Sequence, residues 1–386
     1  MMNNINIPFA RPMIEKEERQ ASSKVLEGNI LTHGPQCRLF EKNFSEYNNS
    51  SQAVSLSNCT SAMFLSLKAL GIGPGDEVIV PAMTHIATAH CVSHSGAKVI
   101  FVDIDEKTGN INPNLILEKI NKNTKAIIVV HFVGLSADMD AILKIISGKN
   151  ISLIEDCAAA LGALYDKKMV GTFGVTGCFS FYPTKHITTM EGGMLIANDD
   201  NLVKSIRKLS SFGYTKNLYE RSVPGVYDVD LLGYNFRMNE VSAAIGIEQL
   251  KKINRFISTR HSNASIIRDK LEKNPNIYVL PGESGKSTSS NFCVNVILNH
   301  GGENLRNNLI LNLQKNKIGT SVHYPVCLPK SLYYKGVGDN KENKNYKVAE
   351  HFASHTISLP CGPHIDTEEA KLIADIFIKC LKELLK

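Results

Sequence analysis

The stretch Cys178–Asp199, CFSFYPTKHITTMEGGMLIAND, decides how the chain is read. It holds an apolar run, a lysine in a threonine-rich turn, a Gly-Gly pair and a second apolar run. Residues i−4 and i+4 from Lys185 are Phe181 and Thr189, so no acid lies one helical turn away. Burial between two strands disfavours the ammonium form and leaves a nucleophilic amine. Taken alone, that reading loses to a lysine whose ammonium reaches solvent or a phosphate. The rest of the chain has to decide.

Working outward, short β-branched runs recur at 53–57, 77–82, 98–104, 125–132, 152–156, 178–182 and 194–198. Most are continuous rather than alternating, as in strands buried on both faces. Helical patterns at 60–70, 85–95, 113–121 and 138–147 lie between the earlier runs, with Gly71 and Gly96 placed as C-caps. The alternation predicts an α/β fold: a seven-stranded, mainly parallel sheet with helices on both faces. After NFRMNE (235–240), residues 239–273 read as one long helix, with Ala243, Ile247, Leu250 and Ile253 at helical spacing and an end near Asn274-Pro275. A strand at 291–298 and helices at 303–316 and 367–385 complete a smaller α+β C-terminal domain. The expected division is 1–250 and 251–386. The polar stretches 282–290 and 336–345 read as surface loops.

Composition narrows the class. A chain of 386 residues exceeds one ordinary core, and 43% hydrophobic with 21% charged residues are globular values. The net charge of +6 comes from scattered basic residues, with no dense Lys/Arg block, so nucleic acid is not an expected partner. Nine cysteines without a C-x-x-C pair fit neither a disulfide framework nor a zinc site. They point to a reducing compartment. No N-terminal signal pattern or span-length apolar run appears, so a cytoplasmic protein without membrane segments is expected.

In an open α/β sheet, ligands bind beyond the carboxyl ends of the strands. Three features fall there. SLSNCTSA (55–62) runs from a strand into a helix start, where free N–H groups and hydroxyls suit a phosphate; an N-cap alone would explain it as well. Asp156 ends an apolar strand, where an unpaired carboxylate is costly and needs a cationic, N–H or metal partner. Lys185 is the third. Amine, carboxylate and phosphate-binding helix start together form the recognition set for pyridoxal 5′-phosphate (PLP). A nicotinamide site would need G-x-G-x-x-G after the first strand, and LSNCTSA is not one.

Here the sequence resembles the DegT/DnrJ/EryC1/StrS family of PLP-dependent sugar aminotransferases. The likeness runs from IPFARPMI and GNILTHGPQCRLFEKNFSEY through LGIGPGDEVIVPAMTHIATAH, VVHFVGLSADMDAI, IEDCAAALGA, FSFYPTKHITTMEGGM and LGYNFRMNEVSAAIGIEQL to VHYPVCLP. The resemblance implies the aspartate aminotransferase fold (fold type I). It implies Lys185 as the Schiff-base lysine and proton shuttle, and Asp156 as the partner of the pyridine nitrogen. Thr60, Ser61 and Ser180 would bind the phosphate, and His85 would stack on the cofactor. Asn235 would reach the phosphate of the other subunit in a homodimer. His323 and Tyr324 would contact substrate. No metal is implied.

Two positions depart from the family pattern. Ala159 stands where a polar residue, often Gln, would bond the cofactor's ring hydroxyl, and Met190 stands where Gly is common. Relatives that dehydrate instead carry histidine at the lysine position; here that position is Lys185, and His186 is its neighbour. The implied reaction moves an amino group from L-glutamate to a keto group of a nucleotide-linked deoxysugar. TKHITTMEGG is more similar to members acting at C4 than at C3. Competing readings are amination at C3 or on a cyclitol ketone, and a non-catalytic PLP-binding regulator, for which an electron sink would have no use.

Overall fold

The computed structural model describes residues 6–216, 220–337 and 345–386. The strands are β1 (Gln52–Leu56), β2 (Glu77–Pro81), β3 (Lys98–Val102), β4 (Thr124–Val130), β5 (Ser152–Asp156), the short β6 (Leu164–Tyr165) and β7 (Lys168–Met169), β8 (Thr176–Ser180) and β9 (Gly193–Ala197). Then come β10 (Ile277–Val279), β11 (Glu283–Ser284), β12 (Ser287–Thr288), β13 (Val294–Leu298) and β14 (Thr356–Leu359). The main sheet has the expected seven strands, ordered β1-β9-β8-β5-β4-β2-β3. Pairs β3–β2, β2–β4, β4–β5 and β5–β8 are parallel; only β9 runs against its neighbours β8 and β1. The observed strands start and end within about two residues of the apolar runs.

The continuous apolar strands are buried on both faces. Val78, Val80, Ile128, Ile154 and Leu195 join one core cluster, while their neighbours Ile79, Ile127, Val129 and Leu153 join another on the opposite face. The helices are α1 (Lys16–Leu26), α2 (Pro35–Tyr47), α3 (Cys59–Ala69), α4 (Ile86–Ser95), α5 (Pro113–Ile116), α6 (Met139–Ile146), α7 (Asp200–Leu209), α8 (Glu240–Lys251), α9 (Ile253–Leu271), α10 (Gly302–Lys315), α11 (Lys347–His355) and α12 (Thr367–Leu384). Because β9 is reversed, Gly193 pairs with both Leu56 and Ser180, so its start meets the carboxyl ends of β1 and β8. A Cβ at Gly193 would lie 2.3 Å from the carbonyl carbon of Asn58, so only glycine lets the head of α3 approach the sheet this closely.

Two helical expectations are corrected. The pattern at 239–273 is two helices, α8 and α9, broken at Lys252 (φ −98°, ψ −5°). The Lys252 ammonium there meets Glu15, Glu17 and Glu18 at 2.9, 3.0 and 2.8 Å, a tertiary anchor that helical periodicity cannot register. The pattern at 113–121 shrinks to α5 and a 3₁₀ turn, Leu117–Lys119. Asn121 N–H then bonds Thr124 Oγ1 at 3.0 Å, starting the turn into β4.

Strands β10, β13 and β14 form an antiparallel sheet under α9, α10 and α12. Ala264, Ile267, Leu309, Ile373 and Phe377 fill its core together with Ile7 from the N-terminal segment. Strand β12 pairs with β6, so 282–290 is a hairpin rather than a plain loop. Of the loop expected at 336–345, residues 338–344 lie outside the described residues. All nine cysteines are free and buried. Among the described residues, no helix is long and apolar enough to cross a membrane.

Candidate active site

A cavity of about 400 Å³ opens at the carboxyl ends of β4, β5 and β8, and Thr60, His85, Asp156, Ser180, Lys185 and Tyr324 all line it. Residues up to 264 positions apart in sequence thus meet at the edge where the sheet topology places a ligand.

Helix α3 supplies the first wall. Asn58 caps it, accepting from Ser61 N–H at 2.8 Å, and Ser61 Oγ donates back to Asn58 O at 2.7 Å. The Ser61 side chain is therefore spent on the cap and is only 4% exposed, and Ser61 itself faces an adjacent cavity with Phe64 and Tyr234. Thr60, beside it, lines both cavities. The first-turn N–H groups and their positive end suit an anion.

Helix α4 supplies the second wall. His85 caps it, its Nδ1 accepting from Ala87 N–H at 3.2 Å, so that nitrogen carries no proton. Burial, and then the nearby Lys185, lower its pKa below the usual imidazole range, and its ring meets that of Tyr324 edge-on at 5.9 Å. One turn along α4, Thr88 donates its hydroxyl to Asp156 Oδ2 at 2.7 Å and lies 2.9 Å from Thr84 Oγ1. Ala158 N–H donates to the other oxygen at 3.0 Å. Asp156 is 4% exposed, and among the described residues it has no ion-pair partner. Beside it, Glu155 is fully buried and accepts from Gly171, Phe173 and Gly174 N–H groups, each at 2.7 Å, with His131 Nε2 at 3.0 Å.

Lys185 follows β8, its backbone N–H bonded to Tyr182 O at 2.9 Å. Burial lowers its pKa below the usual lysine range, opposed by the charge of Asp156. The amine sits 4.7 Å from the centre of the Phe292 ring. His186 turns away from the cavity, is buried, and donates Nε2–H to Ser290 O at 3.2 Å.

Besides Ser61, two expected residues lie apart from the cavity. His323 sits behind Tyr324, ring centres 5.2 Å apart, with Nδ1 2.8 Å from Ser358 Oγ; burial pushes its pKa down to about 3. Asn235 is exposed, with its backbone bridged to Ser211. Sequence reading missed Thr88, Glu155 and Phe292. Thr88 carried a weak signal, three residues after His85 on one helix face, whereas Phe292 carried none.

The residues present fit PLP. An amine, a buried carboxylate held by neutral donors only, and a helix start offering N–H groups and Thr60 match an aldehyde, a protonated ring nitrogen and a phosphate. The methyl of Ala159, 8% exposed, forms part of the wall.

The DegT/DnrJ/EryC1/StrS aminotransferase family model matches residues 12–377. The chain belongs to this family. The spore coat polysaccharide biosynthesis protein SpsC of Bacillus subtilis is 35% identical over 98% of this chain and 97% of that one. GDP-perosamine synthase of Escherichia coli O157:H7 is 35% identical over 96% and 97%. A Streptococcus pneumoniae chain described as a sugar aminotransferase superimposes in its PMP form with a TM-score of 0.92, at 29% identity, covering 98% of this chain and 100% of that one. Its PLP form gives 0.91 at 28%, covering 99% and 100%. This family member is a PLP-dependent sugar aminotransferase of fold type I, as the sequence motifs implied.

Proposed function

We propose that the protein transfers an amino group from L-glutamate to the C4 keto group of a nucleotide-linked deoxysugar, for amino-sugar biosynthesis. The carrying observation is that Lys185 and Asp156 line one cavity with Thr60 at its α3 end. The nucleotide-linked ketone draws support from the relatives' names, and C4 from the TKHITTMEGG likeness.

When bound, PLP supplies a carbonyl carbon and an electron-withdrawing ring. Asp156, oriented by Thr88 and Ala158, would hold the proton on the ring nitrogen. Thr60, the first-turn N–H groups of α3 and Ser180 would hold the phosphate, and His85 would cover one ring face. The Lys185 amine, unprotonated more readily than a solvated lysine, removes the α-proton of glutamate and later returns a proton to the sugar carbon. A single base serves both steps because both carbons occupy one place in turn. Tyr324, in the cavity wall, would contact substrate, with His323 behind it.

This reading includes a cytoplasmic homodimer in which Asn235 reaches the partner's site. It also includes a larger unit 1–250 and a smaller unit 251–386, a division supported by the separate apolar cluster of residues between Ala264 and Leu381, which Ile7 of the N-terminal segment joins. The test is a panel of keto-sugar nucleotides mixed with enzyme converted by glutamate to its amine-carrying form. Return of the original absorbance with one 4-keto sugar, and its loss in Lys185→Ala, is the expected result. Turnover retained in Lys185→Ala refutes the assignment.

A further inference from the structure

The Lys185 amine is not suspended in an empty cavity. Its nitrogen lies 4.7 Å from the centroid of the Phe292 ring, within the range in which an aromatic face attracts an ammonium. Phe292 comes from the C-terminal half, just ahead of β13, and is 5% exposed. Its ring is packed by other rings: Phe9 at 6.3 Å, His323 at 5.3 Å and His186 at 6.1 Å.

The backbone around Phe292 is tied to the lysine loop and to the core. Phe292 N–H bonds Val133 O at 3.2 Å, and Ser290 N–H bonds Gly134 O at 2.9 Å. The buried Arg260 donates to Phe292 O at 2.9 Å and Asn291 O at 3.3 Å. His186, the residue after Lys185, donates to Ser290 O at 3.2 Å. One hydrogen bond therefore registers the lysine loop directly against the segment that presents the ring. Arg260 and His186, both buried and outside the cavity, share this purpose.

We propose that Phe292 is a positioning residue that holds the free amine of Lys185 whenever the lysine is not bonded to the cofactor. The proposal rests on the lysine assignment above. During turnover the substrate displaces Lys185, and the amine must stay close enough to move a proton while passing between charged and neutral forms. A carboxylate would hold the ammonium too firmly and keep it protonated. An aromatic face attracts the ammonium by a modest amount and accepts no proton. The other groups facing this amine give it little choice of partner. Asp156 raises its pKa through its charge but, among the described residues, makes no ion pair with it; Cys59 and Cys293 are buried thiols pushed upward and stay neutral; His85 and His323 are pushed downward and stay neutral.

The test reads the amine directly in the full chain stripped of cofactor. Lysines are dimethylated with ¹³C-formaldehyde and reductant, and the Lys185 resonance, identified by its absence in Lys185→Arg, is titrated. Phe292→trifluorophenylalanine keeps the ring's shape while emptying its π face, so folding is preserved. The expected result is a Lys185 pKa lower by roughly half a unit to one unit than with Phe292. Phe292→Leu should shift it in the same direction and lower kcat with KM for glutamate little changed. An unchanged pKa in the trifluorophenylalanine protein overturns the proposal. Because the titration needs no turnover, that failure leaves the aminotransferase reading intact.

Discussion

At Met190 the backbone adopts φ +70°, the left-handed region that favours glycine, and the side chain is 51% exposed. The family pattern places Gly here, and the structure supplies the physical reason. A non-glycine residue in this region costs roughly 1–2 kcal/mol, and glycine gives back part of that gain through its freer unfolded chain. Met190→Gly should therefore stabilise the protein by about 1 kcal/mol, read as a higher denaturation midpoint in urea. A lower midpoint would show that the methionine is packed in the assembled enzyme. Ala159 is the other departure. Ala159→Gln would put an amide donor on the cavity wall, where it favours an ionised ring oxygen. The pH at which the bound cofactor's visible band titrates should fall by roughly half a unit or more; an unchanged titration would mean the amide does not reach the ring. Both residues were legible as departures in the sequence, but the positive φ was not, since dihedral angles at a loop are set by what surrounds it.

On the scale of elements, α4 does more than border the cavity. Its Thr88 hydroxyl reaches Asp156 at 2.7 Å, a hydrogen bond made to a buried carboxyl group away from water. Thr88→Val keeps the shape and deletes the donor. Cofactor affinity should drop by about tenfold or more, measured by titrating cofactor into the stripped enzyme, and Thr88→Ser should restore most of it. Equal loss in both variants would indicate packing rather than the hydroxyl. The antiparallel sheet of the C-terminal half makes a different prediction. Ser358 Oγ donates to Asn295 Oδ1 at 2.7 Å, so it receives the Nδ1 proton of His323. The folded pKa of His323 is about 3 against an ordinary 6.5. Below pH 6.5 the unfolded chain binds a proton that the folded chain refuses. Stability is therefore full above that pH and is lost as pH falls toward 3. His323→Asn should flatten the fall of the thermal midpoint over this window; an unaltered slope would exclude His323 as its source. Helices α3 and α4 were legible to within a residue or so because a polar cap meets a strand end at each. The α8–α9 break was hidden because the glutamates that Lys252 meets there come from the start of α1, far away in sequence.

On the scale of the whole molecule, the main sheet was the most legible part. Seven buried apolar runs could hardly form anything else, although the reversal of β9 is invisible to periodicity. The site was legible as residue types, and the structure brings most of them to one cavity. Ser61, His323 and Asn235 stay outside it; Ser61 and His323 pack beside its walls, and the isolation of Asn235 is the informative one. Asn235 is exposed, and the preceding segment exposes Val223, Val226, Tyr227, Val229 and Leu232, the last at 86%. Apolar groups so clustered ask for a covering surface. If a second copy provides it, Asn235 completes the partner's site, and two defects in different chains should complement. Asn235→Ala and Lys185→Ala homodimers would each be impaired. A mixed dimer has one site with both defects and one with neither. Random reassortment after equal mixing makes half the dimers mixed, so about one quarter of native activity should return. If Asn235 instead acted within its own chain, each site in the mixed dimer would keep one defect, and mixing would restore nothing.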